Sequence, residues 1–232
     1  WAARRADAIV TLTETDRKLY ESNLKLKCPI MAIANPILPP AEAFYDADSH
    51  LILSSGRLTY QKGFDLLVEV AGKVLPNHPD WRWVILGEGE DRPILERRIH
   101  EANLDDRLVL KGRVDDMDSY YRQSAMFVMT SRFEGLPMVL LEAKAHRLPL
   151  ISFDCPTGPS EIIEDGINGT VVPLEDTDAM VTAINKLIDD RTRRIEYSVM
   201  SGSNAERYDM ATVLDDWRRL LRSFDLNEGG SD

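Results

Sequence analysis

The chain is short of cysteine, histidine, positive charge and long apolar runs, and each shortage removes a class of protein. Only Cys28 and Cys155 occur in 232 residues. Two thiols so far apart make no disulfide framework and suit a reducing compartment, so a cytoplasmic protein is expected. The histidines, His50, His78, His100 and His146, stand at least 22 residues apart with no metal-type partner at local spacing, so structural zinc is not expected. Twenty-eight Lys and Arg against 39 Asp and Glu leave a net charge of −11, a field that repels phosphate backbones and anionic lipid faces. Nucleic acid is therefore not an expected partner, although a local basic pocket is compatible with that balance. No apolar run approaches the ~18 residues of a membrane span, and no secretory signal is visible. The chain also begins at Trp1, without a methionine, in what reads as folded sequence, so a piece of a longer protein is expected.

What is present reads as globular. At roughly 150 residues per domain the length allows one to two domains, and 44% hydrophobic with 29% charged residues is ordinary for a soluble fold. Short apolar runs at 8–13, 30–34, 51–55, 81–86, 108–110, 126–129, 150–153 and 170–172 predict strands buried on both faces. Between them lie helical patterns at 64–75, 92–103 and 137–146, the first placing Phe64, Leu67, Val70, Ala71 and Val74 on one stripe. Strand–helix alternation of this kind predicts a doubly wound parallel α/β sheet, with ligands at the carboxyl ends of the strands. The stretch 35–40 carries three prolines and reads as a hinge. After Pro173 the chain reads as helical, clearest at 177–189 and 210–224, and the tail 227–232 reads as frayed.

Four loops after strands invite a functional reading. In 54–63, Gly56-Arg57 and Lys62-Gly63 bracket a turn whose two cations can converge on one anion. In 131–143, Pro137 suits the first turn of a helix, leaving the amides of Gly135 and Leu136 free for an anion. Glu134 and Glu142 flank that point and could bond different hydroxyls of one extended ligand. The spacing alone means little in so acidic a chain; the whole string is more specific. Gly87-Glu88-Gly89 lacks the third glycine of a dinucleotide fingerprint, having Arg92 there, so nicotinamide binding is rejected. In 158–163, Glu161 opens a short helix and reads as a cap. The pairs Asp46/Asp48 and Asp116/Asp118 resemble metal–nucleotide ligands, but the first lies by the hinge and the second at a helix start, where acidic residues favour the dipole.

Together these residues resemble the C-terminal half of a retaining GT-B glycosyltransferase of the group 1 kind, family 4. The resemblance runs from residue 8 to about 224 and rests on Gly56-Arg57-x4-Lys62-Gly63, Phe133-Glu134-Gly135-Leu136-Pro137, Glu134-x7-Glu142 and Glu161-x4-Gly166-x2-Gly169. It implies a Rossmann-like domain at 37–208, a remnant of the N-terminal domain and hinge at 1–36, and a closing helix and tail at 209–232. It implies that Arg57 and Lys62 hold a donor diphosphate, Glu142 the ribose hydroxyls, and Glu134 the transferred sugar. The amides of Gly135 and Leu136 would meet diphosphate or sugar oxygens. Arg113 and Val114, in 111–116, would lie against the base, and Gly56 beside the phosphates. Glu134, Arg57 and Lys62 are then the expected catalytic groups.

The implied reaction moves a sugar from a nucleotide donor, UDP by family frequency, to a glycan or lipid-linked acceptor with retention. No metal or other cofactor is expected, since two cations and a helix N-terminus can neutralise the leaving diphosphate. The acceptor would be held by the missing N-terminal domain, so this chain alone is expected to be inactive. The parent would be cytoplasmic, peripheral at the inner membrane face. An epimerase would need an acid–base pair that these residues do not leave over, and a pyridoxal-dependent phosphorylase a Schiff-base lysine that none of them supplies. A non-catalytic nucleotide-binding module would have no need of Arg57, Lys62, Glu134 and Glu142 together.

Overall fold

The computed structural model describes residues 5–40, 42–202 and 205–228. The chain divides into two compact units, Trp1–Leu38 with Asn204–Asp232, and Pro39–Ser203. The first division falls inside the proline-rich stretch; the second, between Ser203 and Asn204, lies before the expected 208/209 boundary.

In the smaller unit, β1 (Ile9–Thr11) and β2 (Ile30–Ala32) pair in parallel around α1 (Glu14–Asn23). Thr13 starts α1 because its hydroxyl accepts from the Asp16 amide, and Glu14 and Asp16 complement the helix dipole in the first turn. The last helix, α9 (Met210–Glu228), covers the expected 210–224 and extends past it; 229–232 lie outside the described residues. Val213 and Leu220 of α9 bury against Ile33.

The larger unit supplies β3 (Leu51–Ser55), α2 (Phe64–Val74), β4 (Arg82–Leu86), α3 (Arg92–Glu101), β5 (Leu108–Gly112) and α4 (Met117–Arg122). It continues with β6 (Met126–Met129), α5 (Met138–Ala145), β7 (Leu150–Phe153), α6 (Pro159–Ile162), β8 (Gly169–Val172), α7 (Thr177–Asp189) and α8 (Arg191–Ser201). The strands form one parallel sheet in the order β5-β4-β3-β6-β7-β8. The chain winds outward from β3, crosses back to β6 and winds outward again, so the winding reverses between β3 and β6. The expected doubly wound, Rossmann-like α/β fold is present.

Helices cover both faces. Ile52, Trp83, Ile85, Val128 and Ile151 bury under α2, α3 and α7, and all five stripe residues of α2 are buried as expected. On the alternate face Phe127 meets Tyr121 of α4 with ring centroids 6.1 Å apart. Polar groups in the sheet are paired: Trp83 Nε1 donates to Ser54 Oγ at 3.0 Å, and Ser54 donates to the Val128 carbonyl at 2.6 Å. Strand β5 runs two residues past the expected 110, because a register shift at Ile85/Leu86 brings Leu86 opposite Gly112. Arg194, buried in α8, closes the end of α7 by donating to the Leu187 and Ile188 carbonyls.

Candidate functional site

The loops leaving β3, β4 and β6 interlock at the point where the winding reverses. Gly56 N–H donates to the Leu86 carbonyl at 2.9 Å, Leu58 N–H to Glu88 at 2.9 Å, and Arg132 N–H to Gln61 at 2.8 Å. Two glycines permit this approach. Gly63 has φ +63°, and a Cβ there would collide with the Thr130 carbonyl; Gly87 has φ +134°, and a Cβ there would collide with the Gly56 carbonyl.

Among the loops leaving β3, β4 and β5 opens a cavity of about 550 Å³, lined by Gly56, Arg57, Gly87, Glu88, Gly89, Arg113, Val114 and Met117 among others. It gathers four of the expected donor-binding residues: Gly56, Arg57, Arg113 and Val114. Arg57 is exposed, with no hydrogen bond or ion pair among the described residues. Glu88 also faces the cavity and is held by Arg92, which bonds Glu88 and Glu96 at 2.8 Å each and the Leu110 carbonyl at 3.1 Å.

Lys62 and Glu134 come together although 72 residues separate them. Lys62 Nζ lies 2.6 Å from Glu134 Oε1, with side chains 18% and 7% exposed. The two residues expected to contact different parts of a ligand thus pair with each other here. The Glu134 carbonyl also accepts from the Thr157 hydroxyl on the loop after β7. Beside them Arg132 fixes the β6 loop by bonding both Asp65 oxygens at 2.8 Å, Glu175 at 2.7 Å and the Tyr60 carbonyl at 2.8 Å. Its guanidinium also lies 4.2 Å from the Tyr60 ring centre. The hydrogen bonds to Asp65 push the Arg132 guanidinium upward, and the same contact holds Asp65 below the usual carboxylate range.

Glu142 sits in the second turn of α5, where Tyr121 Oη donates to its Oε2 at 2.8 Å. The start of that helix corrects one expectation. Pro137 is the cap, with φ −74° and ψ 97°, and the first helical residue is Met138. An extended ψ keeps Pro137 just outside the helix, so Gly135 and Leu136 belong to the preceding turn, where their N–H groups make no backbone hydrogen bond among the described residues. A second correction concerns Glu161, which lies inside α6 while Gly158 holds the cap position. Gly158 packs against the Gly135 carbonyl and the Pro137 ring, too closely for any side chain to serve as a cap there.

The acidic pairs have structural partners. Asp46 accepts from the Asp48 amide, Asp48 pairs with Arg191 at 2.7 Å, Asp116 caps α4, and Asp118 bonds His146 and Arg122. Cys155 is buried, and burial pushes its thiol up to about 11. Asp118, expected only as half of a metal-type pair, instead binds His146, and Arg132, Thr157 and Tyr121 are the residues that reading the sequence missed. A charge inside a loop motif was the one available signal, at Arg132; the others are marked by packing alone.

A doubly wound parallel sheet with cations gathered where its winding reverses is the architecture of ligand-binding α/β domains. The profile of the family described as "Glycosyl transferases group 1" matches residues 41–207, and the chain belongs to that family. Over 222 residues it is 32% identical to the amylovoran biosynthesis glycosyltransferase AmsD of Erwinia amylovora, covering 93% of this chain and 62% of that protein. It is 31% identical over 221 residues to an uncharacterized glycosyltransferase of Haemophilus influenzae, covering 95% and 62%. TarM of S. aureus, in a crystal structure with fondaparinux, alpha-GlcNAc-glycerol and UDP, superposes with a TM-score of 0.86 at 25% identity, over 94% of this chain and 44% of that one. The chain therefore spans less than two thirds of the length of these relatives. Among the described residues no helix is long and apolar enough to cross a membrane.

Proposed function

We propose that this chain binds a nucleoside diphosphate sugar at the cavity formed at the ends of β3, β4 and β5, beside the Lys62–Glu134 pair, and that the longer protein containing it transfers that sugar to a glycan or lipid-linked acceptor with retention. The observation that carries this is the convergence of Arg57, Arg113 and the Lys62–Glu134 pair at one end of the sheet. Arg57 offers a fork to phosphate oxygens, and Lys62 a compact charge that can turn from Glu134 toward a bound phosphate. As the glycosidic bond breaks, negative charge grows on the diphosphate and these cations stabilise it. Lys62 moving to phosphate frees the Glu134 carboxylate to face the sugar ring, where positive charge develops. The acceptor hydroxyl attacks on the face the diphosphate leaves, so no protein nucleophile is used. Glu142 holds ribose hydroxyls, the amides of Gly135 and Leu136 meet sugar or phosphate oxygens, and Arg113 with Val114 lines the base.

Neutralisation by these groups needs no metal. The UDP bound to TarM supports uridine as the base. The reading also places the protein in the cytoplasm, at the membrane face where lipid-linked acceptors are assembled. The test is calorimetric titration of the chain with UDP in chelator, where a Kd of about 10 μM to 1 mM is expected. Binding that appears only on adding magnesium overturns the two-cation reading, and no binding with or without it overturns the site.

A further inference from the structure

Helix α4 connects the cavity to Glu142. Its first residue, Met117, lines the cavity, and one turn on, on the same face, stands Tyr121. Tyr121 is 1% exposed, and its hydroxyl donates to Glu142 Oε2 at 2.8 Å. The ring cannot shift freely. It stacks on His146 at 4.7 Å between centroids, with planes 25° apart, and packs tilted by 41° against Phe127. His146 is itself held from two sides: Nε2 lies 2.5 Å from Asp118 Oδ1, and Nδ1 lies 2.8 Å from the Glu142 carbonyl. Arg122 binds the other Asp118 oxygen at 2.6 Å. Burial, with the Glu142 carboxylate adding to it, pushes the Tyr121 hydroxyl well up, so it remains a donor.

We infer that Tyr121 is a positioning residue, which aims the Glu142 carboxylate at the ribose hydroxyls of the nucleotide and is itself locked by the His146–Asp118 pair. The inference rests on the reading of Glu142 as the ribose-binding group. A glutamate carboxylate on its Cβ–Cγ stem has free torsions; one oxygen tied to a buried phenol restricts the direction of the other. Preorganisation of this kind shows as ligand selectivity, because only ligands with ribose hydroxyls use it.

The experiment measures binding of three probes, UDP, 2′,3′-dideoxyuridine diphosphate and inorganic pyrophosphate, to the whole chain and to Tyr121→Phe and Glu142→Ala. Phenylalanine keeps the ring and its stacking, so the variant removes the hydroxyl alone. Tyr121→Phe should weaken UDP binding about 10-fold, the scale of one hydrogen bond to a charged group, and leave the dideoxy analogue and pyrophosphate unchanged. Equal weakening of all three probes would reveal a merely structural role and overturn the inference. So would unchanged UDP binding by Tyr121→Phe beside a loss in Glu142→Ala. If Glu142→Ala itself leaves the ratio of UDP to dideoxy binding at the wild-type value, the ribose reading falls, and the inference with it.

Discussion

Replacing Lys62 by alanine takes the ammonium from a carboxylate that is 7% exposed. Breaking a fully buried pair by deleting one partner costs about 3–5 kcal/mol, because the remaining charge stays desolvated. Here the lysine side chain keeps 18% of its exposure, so water reaches the gap and the expected loss falls to about 2–3 kcal/mol. For a domain of this size each kcal/mol moves Tm by roughly 2–4 °C, which places the variant about 4–12 °C below wild type. The reverse deletion should be milder. Glu134→Gln leaves Lys62 on a flexible stem that can turn its head to solvent, and a loss of about 1 kcal/mol is expected. The double variant Lys62→Ala/Glu134→Gln should recover at least half of the single-variant loss, since no uncompensated charge remains. Thermal and urea melts at pH 7 on the four proteins measure the cycle. A Lys62→Ala variant melting within 1 °C of wild type, or a double variant less stable than both singles, would refute the reasoning. The cycle also bears on binding, because a weakened nucleotide affinity in Lys62→Ala counts as a phosphate contact only at temperatures where the variant is fully folded.

Arg57→Ala should weaken UDP binding about 10- to 150-fold, the scale of hydrogen bonds to a charged group, while leaving the melting temperature unchanged because Arg57 is exposed; calorimetry with a parallel melt checks both. Glu142→Ala should weaken UDP itself, whereas Glu134→Ala should spare UDP and weaken the intact UDP-sugar; equal losses of both ligands in both variants would mean the two carboxylates do not divide ribose and sugar between them. Asp65 is held below its ordinary value near 3.8 by Arg132, so its stabilisation is fully present above that value and is lost as pH falls through the lower folded value. Asp65→Asn should therefore be less stable than wild type at pH 7, and the gap should close on acidification; urea midpoints from pH 7 to pH 2 measure it, and a gap that stays constant would remove Asp65 from the clamp.

Most elements of the larger unit were legible in the sequence. Strands such as Leu150–Phe153 are buried on both faces, so an unbroken apolar run marks them, and the 3.6-residue stripe of Phe64–Val74 marks a helix with one buried face. The loops that carry Arg57, Lys62, Glu134 and Arg113 were legible for a related reason: glycine and proline punctuate them at strand ends, where an α/β sheet exposes its ligand site. What the tertiary structure decided is which of these residues meet. Lys62 faces Glu134, Arg132 joins Asp65 to Glu175, and Tyr121 reaches Glu142 across 72, 67, 43 and 21 residues. Helix limits that turn on a single dihedral, as at Pro137, were decided there too. Local periodicity depends on neighbours in the chain and is written in composition. Pairing across loops depends on sheet order and on the return crossing from β5 to β6, and no short stretch of sequence contains that crossing.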